Sequence, residues 1–202
     1  MTTMPTAEDR AAENRAARTV TDGLEPKNVI LAVCLVLGAA QDDVVVGLAW
    51  AVHAIVFAAV IPMAYIKYGI RVGRWQDRHV GQRERRLHLI PVIMSSVGVA
   101  IAAMVVLDAP AQMTALVVAM LATLGAILPV TAFWKISVHT SVSAGAVAIL
   151  TVGVGLWWTA AFPLVALIGW SRVALRDHTL GQVVAGAALG SLVAGGVFTW
   201  LT

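Results

Sequence analysis

Of the chain's 202 residues, 59% are hydrophobic and only 12% charged, with a mean hydropathy of +0.85, whereas soluble domains carry roughly 25% charged residues. This composition excludes a water-soluble domain, a disordered chain, collagen and a coiled coil, and predicts an integral membrane protein. The net charge of +3 then reports orientation and headgroup attraction rather than nucleic-acid binding, and the one cysteine, Cys34, excludes a disulfide framework and a Cys-based zinc site.

Residues 1–27 are polar and contain no apolar core of a signal peptide, so they read as a cytosolic tail. Pro26 and Lys27 after Glu25 resemble a helix start. Residues 28–202 form one domain in which seven apolar segments follow one another: 28–40, 44–66, 89–107, 113–133, 140–158, 160–175 and 179–201. A helical span needs about 20 residues, so the first segment is either a short or a re-entrant helix. The predicted fold is all-α, a polytopic transmembrane bundle with six or seven membrane segments. In the last segment, Gly186, Gly190 and Ala194 recur at the four-residue spacing that lets helices approach closely.

Alternation of the segments puts all 14 Lys and Arg on one side, in the tail, the 67–88 loop and the turns at 134–139 and 171–178. If the first segment does not cross, Arg10, Arg15, Arg18 and Lys27 change sides and ten basic residues remain. The positive-inside rule assigns that side to the cytoplasm. Richness in Ala, Val and Gly with short loops suits a bacterial inner membrane.

Three polar clusters interrupt the apolar pattern, and alternation places all of them on this basic side. Ionisable groups at the membrane edge are costly and mark sites. The first holds Arg74, Arg78, Arg83, Arg85 and Arg86; it is either a juxtamembrane loop touching anionic lipid or a phosphate clamp built from guanidinium forks. The second runs from Trp134 to Ser141. There Lys135, Ser137 and the free N–H groups of a helix N-terminus offer an anion site, with His139 able to protonate a leaving oxygen; capping by Ser137 or Thr140 is the plainer alternative. The third contains Ser171, Arg172, Arg176, Asp177, His178 and Gln182. His178 and Gln182 share a helix face, and the amide oxygen can accept from the imidazole. A capping role for Asp177 explains part of this cluster but not Ser171 and Arg172 in an apolar segment.

Ser171-Arg172, five residues, then His178 resembles the third signature of the type 2 phosphatidic acid phosphatase superfamily, S-R-x5-H-x3-D, with Gln182 at the Asp position. Ser137-Val138-His139 is similar to the second signature, P-S-G-H, with Ile136 and Val138 at the Pro and Gly positions. Arg78, six residues, then Arg85 resembles the first, K-x6-R-P, although Lys67 and Arg74 have the same spacing. The resemblance implies a metal-independent membrane phosphohydrolase with no cofactor. His178 would attack phosphorus to form a phosphohistidine, His139 would protonate the leaving alkoxide, and Arg78, Arg85, Ser137 and Arg172 would hold phosphoryl oxygens. Gln182 would orient His178 without stabilising its cation by charge.

The expected substrate is a lipid phosphate or prenyl diphosphate, and the expected partners are membrane lipids. A lipid phosphotransferase of the same fold and a non-catalytic lipid-binding protein are the alternatives. His53, inside the second segment, reads as a packing or interhelical hydrogen-bonding residue.

Overall fold

The computed structural model describes residues 7–73 and 83–202, with side chains from 12 to 73 and from 89 to 202. Helices α1 (Ala7–Gly23), α2 (Pro26–Ala39), α3 (Val44–Ile55), α4 (Ile61–Arg71), α5 (Arg83–Val106), α6 (Ala111–Phe133), α7 (Val138–Gly153), α8 (Phe162–Ala174) and α9 (Leu180–Leu201) follow in order, with no strand among the described residues. Five stretches are long and apolar enough to cross a membrane: Val44–Arg71, Leu89–Val106, Ala111–Phe133, Leu156–Ala174 and Leu180–Leu201. Pro26–Ala39 and Val138–Gly153 are shorter apolar helices. Large apolar side chains cover the outside, among them Val45, Val106, Phe133 and Leu192. Such a surface would associate in water and suits a bilayer.

Small residues set the helix spacing, as expected from the last segment. A Cβ at Gly186 would stand 2.5 Å from Ser137 O and 2.6 Å from Thr140 Oγ1, and one at Gly190 would collide with Ser141 O. α7 and α9 therefore touch backbone to backbone, which is how membrane helices gain dispersion energy when burial supplies none. The contact also fixes the N-terminus of α7 against the first turns of α9.

The stretch Val44–Arg71 contains a π-helical turn, Val56–Val60, which joins α3 to α4. Pro62 follows at the start of α4 and can donate no N–H to the preceding turn. Ser96 Oγ on α5 donates to Phe57 O at 2.8 Å, supplying a hydrogen bond where the ladder is disturbed. His53 lies between Trp50 and Phe57, with Nε2 3.3 Å from Ala100 O, so its interhelical role is as expected.

Two segments differ from their expected form. The stretch 140–158 stops early: α7 ends at Gly153, and Gly155 takes φ 155°, ψ 154°, a conformation open essentially to glycine alone. Trp157 and Trp158 then belong to a 3-10 turn, Leu156–Ala161, that leads into α8. The apolar pattern runs unbroken through this point, so hydropathy could not reveal the break. Within the polar stretch 1–27, α1 packs against α8, with Ala17 and Thr21 buried.

Candidate functional site

α8 ends in a tight turn that determines where its polar residues go. The N–H of Arg176 donates to Val173 O at 2.9 Å and that of Asp177 to Arg172 O at 3.0 Å. This double bond is the Schellman arrangement, which requires a left-handed residue just past the helix. Arg176 fills that position with φ 57°, where glycine is usual. The N–H of His178 also reaches Arg172 O, at 3.2 Å. The turn thus folds Asp177 and His178 back beneath Arg172.

Arg172 is buried, at 6% exposure, and its Nη2 is 2.9 Å from Asp177 Oδ2. Its Nε is buried and makes no hydrogen bond among the described residues. A guanidinium has five N–H donors, and this one leaves at least one of them unsatisfied among the described residues.

α9 begins with a capping box. Thr179 is the N-cap, its Oγ1 accepting from Gln182 N at 3.4 Å, while Thr179 N donates to Gln182 Oε1 at 3.2 Å. Asp177, the sequence-based candidate for this cap, instead pairs with Arg172. The T-x-x-Q pattern was present in the sequence and is the signal that identifies Thr179.

Gln182 Oε1 lies 3.1 Å from His178 Nδ1 as well. Because Thr179 N–H can only donate, the amide atom facing it is the oxygen. The same oxygen can only accept, so Nδ1 of His178 carries a proton, and when the ring is neutral its lone pair is at Nε2. His178 is itself buried, at 6% exposure.

The α6–α7 connection closes over the same turn. Lys135 Nζ donates to Asp177 O at 2.6 Å. Ser137 is fully buried and caps α7, its Oγ accepting from Thr140 N at 3.5 Å, while its N–H donates to Gln182 O at 3.3 Å. Thr140 Oγ1 bridges Ser137 O and Val183 O. His139 is half-buried in the first turn of α7.

Lys135, Ser137, Arg172, His178 and Gln182 are therefore joined in one hydrogen-bonded cluster, with His139 two residues beyond Ser137. Arg78 lies outside the described residues, as does Arg74 of the alternative register; Arg85 falls in the first turn of α5, but its side chain is outside the description. Asp177 was missed as the partner of Arg172, because a carboxylate before a helix looks like a cap. No group of three or more His, Cys, Asp or Glu able to hold a metal occurs among the described residues.

An apolar cavity of about 200 Å³ lies between the helices, and Val138 and Ser141 of α7 are among the residues that line it. Pro26 and Lys27, Ala58 and Ala59 of the π-helical turn, and Ile149 and Ala194 line it as well. From Val138 to Ile149 the helix rises about 16 Å. No family model, curated protein or solved structure matches the chain.

Proposed function

We propose that the chain is an integral membrane phosphatase of the type 2 phosphatidic acid phosphatase kind, with six or seven membrane segments, acting on a phosphomonoester or diphosphate of a lipid or isoprenoid. The observation that carries this reading is the 3.1 Å contact between His178 Nδ1 and Gln182 Oε1: the amide oxygen also faces Thr179 N–H and can only accept, which favours a proton on Nδ1 and Nε2 as the nucleophile. Buried Arg172 next to it, with Nε lacking a hydrogen bond, is suited to a phosphoryl oxygen. Phosphoryl transfer needs positioning and charge stabilisation more than covalent machinery, and these residues supply both.

In this reading Nε2 of His178 attacks phosphorus, the P–O bond to the lipid breaks, and His139 gives its proton to the leaving oxygen. Water then attacks the phosphohistidine, His139 takes a proton from it, and phosphate leaves. Arg172, Ser137, Lys135, Arg78 and Arg85 hold the phosphoryl group. The apolar cavity, which Val138 helps to line, receives the lipid chain. Alternation of the apolar segments along the sequence puts the basic residues on the side of this site, which by the positive-inside rule would face the cytoplasm, and a bacterial inner membrane is the proposed location.

The test is phosphate release from dioleoyl phosphatidate and farnesyl diphosphate by the purified chain in lipid nanodiscs. Vanadate-sensitive release that disappears in His178→Ala supports the proposal. Substrate binding without release in the wild type would favour a lipid-binding protein, and transfer to added alcohol in preference to water would favour a phosphotransferase.

A further inference from the structure

Helix α1 reaches the candidate site through a hydrogen bond whose direction can be deduced. Thr21 Oγ1 is 2.9 Å from Ser171 Oγ, both side chains being buried. Ser171 Oγ also donates to Ile168 O at 2.8 Å. A serine hydroxyl has a single proton and a carbonyl can only accept. The proton of Ser171 is therefore committed to Ile168, and Thr21 is the donor to Ser171. Ser171 precedes Arg172 and is thus a socket for α1, with its proton directed away from the anion site.

The end of α1 is anchored on its other side too. Asn28 Nδ2 at the start of α2 donates to Asp22 O and Gly23 O at 3.3 and 2.9 Å, and Lys27 pairs with the buried Glu25. Ala17, one turn before Thr21, is fully buried. α1 is thus built into the Arg172 end of α8, 150 residues away in sequence.

We propose that Thr21 is a positioning residue for Arg172: by donating to Ser171 Oγ it holds α1 across the end of α8 and keeps the guanidinium in the geometry that receives a phosphoryl anion. This rests on the phosphatase reading. The test uses the full chain in nanodiscs with orthovanadate as the probe, and follows amide exchange over residues 17–24 in parallel. Thr21→Val, which keeps shape but cannot donate, is expected to speed exchange of α1 and weaken vanadate binding about tenfold, the weight of one buried hydrogen bond. Thr21→Ser retains the donor and should remain within about twofold of wild type. If Thr21→Val fails to fold, Thr21→Ala carries the same test.

Vanadate affinity unchanged in the non-donating variant while α1 exchanges faster would overturn the positioning role alone. Equal losses in Thr21→Ser and Thr21→Val would overturn the role of the hydroxyl. Absence of vanadate binding in the wild type would remove the phosphatase reading and this proposal with it.

Discussion

Gln182 Oε1 and His178 Nδ1 stand 3.1 Å apart across the first turn of α9, and the same oxygen accepts the N–H of Thr179. One amide therefore caps a helix and selects a histidine tautomer. In the proposed phosphatase, Gln182 would perform the orienting part of the task of the carboxylate found at this place in the signature that the sequence resembles. Gln182→Leu removes both hydrogen bonds and is expected to lower stability by about 1 kcal/mol, the usual weight of a cap. It should lower kcat by about a hundredfold, the upper end of losses when a supporting partner is removed from a functional histidine.

A carboxylate at position 182 separates orientation from charge. Glutamate has the reach of glutamine, would accept from both donors and would face the helix N-terminus, which favours negative charge. Gln182→Glu is expected to keep kcat at or above the wild-type value, since the imidazolium formed after transfer gains a counter-charge. Aspartate is one methylene shorter and cannot serve both donors from this backbone. Gln182→Asp should therefore melt lower and turn over more slowly, and steady-state kinetics with thermal melts on both variants distinguish the two effects.

Arg176 occupies the left-handed position of the turn between α8 and α9 with φ 57°. A side chain there costs roughly 1 kcal/mol relative to glycine. Arg176→Gly should stabilise the protein by up to about that amount, less the entropy that glycine adds to the unfolded chain. Turnover should be little changed, because the backbone bonds that place Asp177 and His178 persist. A clear fall in melting temperature would show that the Arg176 side chain contributes more than its backbone strain costs.

Orientation is read from labelling. With Cys34→Ser as background, Val80→Cys and Ala109→Cys probe opposite faces in the proposed topology. An impermeant thiol reagent on intact cells should label position 109 and spare position 80. The opposite pattern would place the site outside the cell and redirect the substrate search to exported carrier lipids.

The polar clusters around Ser137 and His178 were legible because ionisable groups at membrane depth are rare, and the stripe of Gly186 and Gly190 because close packing there requires it. Three features were not. Asp177 was read as a cap, since a sequence does not show that a buried arginine will claim the carboxylate. The break at Gly155 is a property of one φ angle inside an apolar run. The role of α1 depends on Thr21 meeting Ser171, a contact with no local periodicity to announce it.

The central claim is that Nε2 of His178 forms a covalent bond to phosphorus, and the most direct measurement is a single-turnover reaction with a lipid phosphate carrying labelled phosphorus, quenched in base. The account predicts label on the protein at His178, stable to base and lost in acid, absent from His178→Ala and accumulating when His139 is replaced by alanine and a substrate with a good leaving group is used. Phosphate released by the wild type with no label retained on His178, or full release by His178→Ala, would contradict it.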